Sequence, residues 1–320
     1  RPPRSTLSSS SAASDVYKRQ DNHFPYRIYG AQQDNSTVRI KHRSSGSSIT
    51  ERDWEPSAGG ESAHLAPDPL NNEIVFGGTY KGYMMMKDHS SGQTRSVNVW
   101  PDNPAGSGAE VMKYRFNWNA PIISSPHDHS VIYHAGNVVF KTIDGGINWE
   151  VISPDLTRNN KSQQVPGGIP FTNEAAGGEN YNTLMSLVAS PHDPDVLWTG
   201  SDDGLIHLTR DGGETWINST PKGLKEGIIN SIEVSPHNPE TAYAVVMRYK
   251  FMDLKPYIYK TVDYGQNWDL ITDGIDGEHN FVRVVREDPK VPGLLYAGTC
   301  LLYTSPSPRD ATLSRMPSSA

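Results

Sequence analysis

The sequence is poor in cysteine, in long apolar runs and in positive charge. Its single cysteine, Cys300, cannot form a disulfide within the chain. No apolar run approaches the roughly 18 residues that a membrane-spanning helix needs, so we expect no transmembrane segment. Acidic residues outnumber basic ones, 36 to 29, which leaves no basic face for a phosphate backbone and argues against a nucleic-acid partner. A sustained 3.6-residue periodicity of apolar residues, which would indicate helices, is also missing. Together with the 28 glycines and 24 prolines, this favours short strands joined by turns.

What the chain does contain is an internal repeat. Residues 142–149, 209–216 and 261–268 read TIDGGINW, TRDGGETW and TVDYGQNW, which share the frame Thr-x-Asp-x-Gly-x-x-Trp. The stretches SPHDHSVIYHAG, SPHDPDVLWTGS and SPHNPETAYAVV precede them and combine a proline-rich turn with β-rich runs. A repeat of about 45 to 65 residues suits a four-stranded propeller blade with variable loops. The predicted fold is all-β, a β-propeller of four-stranded antiparallel blades.

The repeats divide the chain into five to six blades of a partial propeller that spans 22–299. The predicted blades are 22–57, 63–100, 115–153, 183–220, 228–272 and 280–299. The flanking segments 1–20 and 300–320 resemble adaptor-derived translations, so we expect non-native or disordered tails there. A propeller closes its ring to remove open sheet edges. We therefore expect this incomplete ring to associate with itself or with other blades or domains of its parent chain.

The repeated acidic turn has a local physical role. Its Asp can accept hydrogen bonds from backbone N–H groups in the turn, its Gly adopts a positive φ without steric cost, and its Trp packs over the hairpin. We interpret these residues as structural rather than catalytic. They are Asp144, Gly146, Trp149, Asp211, Gly213, Trp216, Asp263, Gly265 and Trp268.

These repeats resemble the Asp-box (BNR) repeats of sialidases, xyloglucanase-type glycoside hydrolases and the sortilin N-terminal propeller. The motifs YGAQQDN, RFNWNAPI, ISPDLTRN and VRVVREDP extend the likeness to bacterial sortilin N-terminal or glycosyl-hydrolase-like BNR repeat proteins over about 24–299. The chain departs from the disulfide-rich animal sortilins in its single cysteine. It also lacks the arginine triad and Arg-Ile-Pro signature of sialidases. The resemblance implies a secreted or envelope-associated protein.

In such a propeller, the turns between second and third strands share one face with the blade connections, and the acidic hairpins lie on the other. The candidate catalytic carboxylates on that first face are Asp34, Asp202, Asp203 and Glu174. The candidate ligand-binding residues there are Gln33, Asn35, Arg115, Asn117, Trp118, Asn119, His134 and Tyr249. The insertion 154–182 is either a polar ligand-binding loop or a solvated surface loop. Asp202 and Asp203, followed by Gly204, also fit an Asx-turn.

Two functions fit these residues. The first is a non-catalytic module that binds a peptide or polysaccharide at the channel face. The alternative is a xyloglucanase-like glycoside hydrolase, which needs two carboxylates roughly 5 to 10 Å apart across a sugar bond. Convergence of two candidate carboxylates on one cleft would favour the enzyme, whereas carboxylates engaged by backbone amides would favour the binding module. We expect no cofactor and no metal site in either case.

Overall fold

A computed structural model describes residues 19–44, 46–103, 106–165, 180–275, 277, 279–300 and 314–316. Within these residues the strands form six antiparallel sheets, of which five have four strands and the sixth has three. The strand order in every sheet follows the chain order, so each sheet is a simple up-and-down meander. The predicted all-β class and the four-stranded antiparallel blade are both confirmed.

The strands of the first three sheets are short, from two to six residues. Sheet 1 comprises β1 (Arg19–Gln20), β2 (Arg27–Gln32), β3 (Ser36–Lys41) and β4 (Trp54–Pro56). Sheet 2 comprises β5 (Leu65–Pro67), β6 (Ile74–Gly78), β7 (Met84–Asp88) and β8 (Thr94–Ser96). Sheet 3 comprises β9 (Ile122–Ser124), β10 (Ile132–Ala135), β11 (Val139–Thr142) and β12 (Glu150–Val151).

The remaining sheets repeat the pattern. Sheet 4 comprises β13 (Leu184–Ala189), β14 (Leu197–Ser201), β15 (Ile206–Thr209) and β16 (Ile217–Asn218). Sheet 5 comprises β17 (Ile228–Val234), β18 (Ala242–Met247), β19 (Ile258–Thr261) and β20 (Asp269–Leu270). Sheet 6 comprises β21 (Val282–Glu287), β22 (Leu295–Thr299) and β23 (Ser314–Met316). All but β1 and β23 lie inside the six ranges predicted as blades, and these two strands lie within the segments predicted as tails.

Short 3-10 helices occur in the loops. They span Glu51–Asp53, Tyr80–Gly82, Ala109–Val111, Lys161–Gln163 and Tyr249–Phe251. Each covers only three residues, so the described helical content is confined to single turns.

The sheets are arranged radially. The first strands of consecutive sheets contact one another in the order β1, β5, β9, β13, β17 and β21. A central cavity of about 370 Å³ lies among these strands. The propeller predicted from the repeats is therefore the observed architecture, with the first strand of each sheet innermost.

The hydrophobic core lies between neighbouring sheets rather than within one of them. Between sheets 4 and 5, for example, the fully buried Trp198 and Ile206 pack against Ile229. A Cβ at Gly200 would lie 2.3 Å from the side chain of Ile229, so the glycine lets the two sheets approach closely. Each fully buried aliphatic side chain of this kind stabilises the fold by about 1.5 to 3 kcal/mol. The stability of one sheet thus depends on its neighbour.

The repeated acidic hairpins join the third and fourth strands of sheets 3, 4 and 5. In the first of them, Asp144 accepts hydrogen bonds from the Thr142 hydroxyl at 2.8 Å and the Asn148 backbone N–H at 2.9 Å. Asp211 and Asp263 accept the equivalent bonds from Thr209 and Thr215, and from Thr261 and Asn267. These carboxylates are therefore occupied by their own turns.

Two side-chain hydrogen bonds connect each of these sheets to its neighbours, and we call each of them a clasp. The indole Nε1 of Trp216 donates to the carbonyl of Ile152 in the preceding sheet at 2.8 Å. In the other direction, the ring of His192 bonds to the carbonyl of Ser235 in the next sheet at 2.8 Å. The equivalent donors in sheets 3 and 5 repeat both contacts, namely Trp149, Trp268, His127 and His237. The repeated Trp and His residues thus hold sheets together.

Antiparallel alternation places these hairpins, and the turns that carry the histidines, on one face of the ring. The turns between second and third strands and the connections between sheets lie on the opposite face, which we call the channel face.

Candidate ligand-binding site

The channel face of sheet 4 carries two consecutive acids. Asp202 and Asp203 lie in the turn after β14, and their exposed fractions are 3% and 0%. Burial of a carboxylate is unfavourable unless hydrogen bonds replace its hydration. The contacts of the two side chains therefore decide what they can do chemically.

Asp202 binds the start of β13 and the connection into sheet 3. Its carboxylate accepts hydrogen bonds from the backbone N–H of Thr183 at 2.9 Å and the Thr183 hydroxyl at 2.7 Å. The amide of Asn117 donates to the same carboxylate at 3.3 Å and to the Thr183 hydroxyl at 2.9 Å. Asp202 thus fixes the orientation of Asn117.

Asp203 points to different partners. It accepts hydrogen bonds from the backbone N–H of Arg158 at 2.8 Å, the amide of Asn182 at 2.8 Å and the Ser201 hydroxyl at 2.5 Å. The amide of Gln164 in turn donates to Asn182 at 2.9 Å. Asp203 therefore anchors both described ends of the insertion 154–182 to sheet 4.

Burial, followed by the neighbouring Asp203 carboxylate, raises the pKa of Asp202 despite its hydrogen bonds. Burial also raises the pKa of Asp203, while the bonds from Ser201 and Arg158 oppose the shift. Two adjacent buried acids resist simultaneous ionisation because each negative charge disfavours the other. The buried pair therefore retains a proton more readily than two exposed aspartates in a turn would.

Arg115 is a second centre of the same polar network. Its exposed fraction is 2%, and its guanidinium donates to the carbonyl of Asn182 at 3.1 Å and to Asp155 at 2.5 Å. The side chain of Asn137 binds both the Arg115 backbone N–H, at 2.9 Å, and Asp155, at 3.0 Å. The sequence placed Arg115 among ligand-binding residues, and the structure places its guanidinium inside a network of internal partners.

An aromatic pair adjoins the acid network. Trp118 stacks on Tyr80 of the preceding sheet, with ring centroids 5.1 Å apart and planes at 12°. Both residues are half-buried, and Lys81 lies over the Tyr80 ring at 5.3 Å. Trp118 directly follows Asn117, and the backbone N–H of Asn119 donates to the Asn117 side chain at 3.4 Å. An accessible aromatic surface therefore lies next to an amide held in place by Asp202.

Other predicted site residues lie elsewhere. Asp34 occupies the exposed turn between β2 and β3 of sheet 1, where its backbone N–H binds Glu61 at 2.9 Å. Gln33 and Asn35 share that turn, so these three residues belong to a different sheet from Asp202. Glu174 lies outside the described residues.

Two other predicted ligand-binding rings stack on neighbouring aromatic side chains, one in the core and one half-buried. His134 is fully buried in the core, where it stacks on Phe116 at 5.3 Å, and burial lowers its pKa to about 4. Its ring lies in the core rather than at the channel face, because it faces inward from the middle of β10. Tyr249 stacks on Phe281 at the start of sheet 6, with centroids 5.3 Å apart.

Sequence reasoning did not single out several residues of the network. These are Thr183, Asn182, Arg158, Asp155 and Gln164. The only sequence signal for these residues was the polar composition of the insertion 154–182. Their hydrogen-bond partners could not be read from the sequence, because the partners lie on separate sheets.

The described residues contain neither a cluster of metal ligands nor a helix that could span a membrane. In the described part of the chain, no three His, Cys, Asp or Glu side chains are grouped closely enough to hold a metal ion. A search of the same residues finds no helix with the length and apolarity that crossing a bilayer requires.

Comparisons with known proteins support the fold. No family model and no curated protein matches the sequence. The structure is similar to that of an ancestral GH74 enzyme, with a TM-score of 0.52 and 16% identity over 85% of this chain and 32% of that one. It is also similar to the extracellular domain assigned to a hybrid two component system from B. thetaiotaomicron, with a TM-score of 0.52 and 13% identity over 93% of this chain and 34% of the other. The chain thus spans about a third of either structure, and the shared feature is the propeller-type fold.

Proposed function

We propose that this chain is a recognition module that binds a polysaccharide at its channel face and does not hydrolyse it. The observation that carries the proposal is the half-buried Trp118, stacked on Tyr80 beside the fixed amide of Asn117. Aromatic rings offer an apolar face for sugar C–H groups, and amides donate to and accept from hydroxyls.

The environment of the two acids supports binding over hydrolysis. A glycosidase needs one carboxylic acid and one carboxylate on opposite sides of the sugar bond. Asp202 and Asp203 are buried and already accept hydrogen bonds from the backbone N–H groups of Thr183 and Arg158. Their role is to position the surface that carries Asn117 and the insertion 154–182.

The relation of this chain to other propeller proteins is part of the same proposal. The three Thr-x-Asp-x-Gly-x-x-Trp hairpins support a place among Asp-box propellers related to the sortilin N-terminal type. One solved structure with this fold is named as an enzyme of the GH74 group and another as an extracellular domain. We accordingly propose a polysaccharide ligand and a secreted or envelope location.

The glycoside hydrolase alternative has one observation in its favour. The raised pKa of Asp202 is a property of general acids in glycosidases. Its exposed fraction of 3% keeps it from a substrate in this conformation. Release of reducing ends from a polysaccharide, abolished by Asp202→Asn, would establish the enzyme and refute the binding module.

The experiment is equilibrium binding of the whole chain to a panel of neutral polysaccharides. Trp118→Ala should weaken binding by roughly tenfold or more, because stacking and apolar contact with the ring are lost. The matched control is Trp54→Ala, since Trp54 is an exposed tryptophan on the outermost strand of sheet 1.

Equal loss in the two variants would contradict the assignment of this surface. Binding of peptides in place of polysaccharides, with the same dependence on Trp118, would keep the site and change the ligand class.

A further inference from the structure

Apart from the Trp118 surface, a groove lies between sheets 4 and 5. One cavity of about 650 Å³ is enclosed by the connection that leads into β17 and the turn that follows β18. A cavity of about 640 Å³ follows β16 toward the acidic hairpin of sheet 5. Tyr259 lines both cavities, and we call the two together the Tyr259 groove.

The Tyr259 groove is positively charged on an acidic protein, so the absence of a basic face expected from the composition is not what the folded chain shows. Five cationic residues line it, namely Arg210, Lys222, Lys225, Arg248 and Lys255. Two acidic residues, Asp253 and Asp269, also line it. The net charge of the whole chain is −7. A local excess of positive charge against that background attracts anionic ligands to this groove in particular.

The lysines in the groove are available to a ligand. Lys222, Lys225 and Lys255 are exposed, and within the part of the chain that the structure describes their ammonium groups form no ion pair. Arg248, in contrast, is paired with Asp253.

The turn that carries Lys255 is held in place. Arg248 forms an ion pair with Asp253, and its Nε donates to the carbonyl of Glu226 at 3.0 Å. The hydroxyl of Tyr257 donates to Asp253 at 2.8 Å, and the backbone N–H of Lys255 donates to the same carboxylate at 3.3 Å. A groove with fixed walls binds a ligand at a lower entropic cost than a mobile loop does.

Aromatic and amide groups lie between the cations. Tyr257, Tyr259 and Trp268 are half-buried and line the groove, so each exposes part of a ring. The guanidinium of Arg210 lies 4.0 Å from the ring centroid of Tyr264. The amide-bearing Asn218 and Gln266 add hydrogen-bonding capacity on the same wall.

We propose that the Tyr259 groove binds an acidic polysaccharide of the uronate type. The sugar carboxylates pair with the lysines, the ring C–H faces pack on the tyrosines, and the hydroxyls bind the amides. The groove passes from the channel face along β16 toward the opposite face, so it suits an extended chain of several sugars. This site is separate from the Trp118 surface and does not rest on the function proposed for it.

The test compares binding of the whole 320-residue chain to polygalacturonate and to an uncharged glucan. The double variant Lys225→Gln with Lys255→Gln should bind polygalacturonate roughly fivefold more weakly, because two exposed ion pairs are lost. The wild-type affinity should also fall as salt is added.

The matched control is Lys41→Gln with Lys290→Gln, which removes two exposed lysines in sheets 1 and 6. This variant should bind like the wild type, and both doubles should melt at the wild-type temperature because all four side chains are exposed. Trp118→Ala should leave polygalacturonate binding unchanged, which separates this proposal from the channel-face proposal.

Three results would overturn the inference. The first is no measurable binding to polygalacturonate, and the second is equal weakening in the two lysine doubles. The third is equally tight binding of poly-aspartate or a single-stranded oligonucleotide, which would show an unselective polyanion surface or a different class of partner.

Discussion

The same side chain behaves in opposite ways at two places in this chain. Asp211 is half-buried in a surface hairpin, and hydrogen bonds from the side chain and then the backbone of Thr215 lower its pKa to about 2. Asp202 also accepts hydrogen bonds from a threonine, yet burial and then Asp203 raise its pKa. Desolvation thus outweighs hydrogen bonding in the interior, and hydrogen bonding prevails at the surface.

The raised pKa of Asp202 makes stability depend on pH. A folded-state pKa above the unfolded value means that the folded chain binds more protons, so stability falls as pH rises from the unfolded pKa through the folded one. Asp202→Asn should lack that loss, and its melting temperature should fall less than that of the wild type between about pH 5 and 9.

Thermal melts across this range provide the measurement for Asp202. Asp128→Asn is the control and should keep the wild-type slope, because hydrogen bonds from the side chain and backbone of Ser130 lower the pKa of this exposed turn carboxylate, and its titration lies below this range. Parallel slopes for Asp202→Asn and the wild type would show that Asp202 ionises normally.

A steric prediction concerns the hairpin of sheet 4. Gly213 has a φ of +107°, and a Cβ there would lie 2.7 Å from the backbone oxygen of Ile152. Gly223 also has a positive φ, +79°, but a Cβ there would meet nothing within 4 Å. Gly213→Ala should therefore lower the free energy of unfolding by about 1 to 3 kcal/mol more than Gly223→Ala does.

Urea unfolding of the two glycine variants checks this difference. Both positions have a positive φ, so their difference reports the clash of Gly213→Ala with the preceding sheet together with the larger φ of Gly213. Equal destabilisation would mean that sheets 3 and 4 separate easily at this point.

At the scale of the element, each acidic hairpin serves as a turn and as a clasp. Its Thr and Asp satisfy the backbone of the turn, and its Trp reaches the end of the sheet before it. The histidines of the other turns on that face reach the sheet after it. A sheet that could not bury both faces alone is thereby held between two neighbours.

The clasp between sheets 4 and 5 can be tested at Trp268. Its indole Nε1 donates to the carbonyl of Ser219 at 2.7 Å, and Phe keeps the aromatic ring while removing the donor. Trp268→Phe should lower the free energy of unfolding by about 1 to 3 kcal/mol, because the Ser219 carbonyl loses its partner.

Trp54→Phe is the matched control, since Trp54 is 55% exposed on β4. It should change stability by no more than about 0.5 kcal/mol in the same chemical denaturation experiment. A loss at Trp268 no larger than that of the control would show that the clasp adds little to inter-sheet packing.

At the scale of the molecule, the outermost strands are the exposed part of the ring. They include β12 and β20, which are two residues long and carry Val151 and Leu270 with exposed fractions of 43% and 51%. Exposed apolar edge strands can pair with those of another copy, and lysine on an edge suppresses such pairing. We therefore predict that the self-association expected from the sequence occurs through these exposed apolar side chains.

The prediction is that the chain sediments as a mixture of monomer and larger species. Val151→Lys with Leu270→Lys should shift it toward monomer, because charge on the edges opposes strand pairing. Ile143→Lys with Ile147→Lys, at exposed apolar positions in a hairpin rather than on an edge strand, should leave the mixture unchanged. A monodisperse wild-type monomer in sedimentation velocity would contradict the prediction.

The fold could be predicted almost entirely from the sequence, whereas only part of the site could. The Thr-x-Asp-x-Gly-x-x-Trp frame recurs because turn geometry is local: the seven residues from Thr142 to Asn148 contain the acceptor, the donors and the positive φ that the hairpin needs. Asn117, Asp202 and Asp203 were also expected on one face, since strand alternation fixes which loops lie together.

Other features required the folded chain. The hydrogen bonds of Asp202 and the pairing of Arg115 with Asp155 could not be read from the sequence. Their partners come from sheets 3 and 4 and lie about 20 to 90 positions away in the chain. The Tyr259 groove likewise combines residues of two sheets that no local pattern connects. The sequence by itself determined the repeated sheets and their turns, because those depend on short-range hydrogen bonds and periodicity. Only the tertiary structure decided the burial, charge and partners of the site residues, because these properties arise where separate sheets meet.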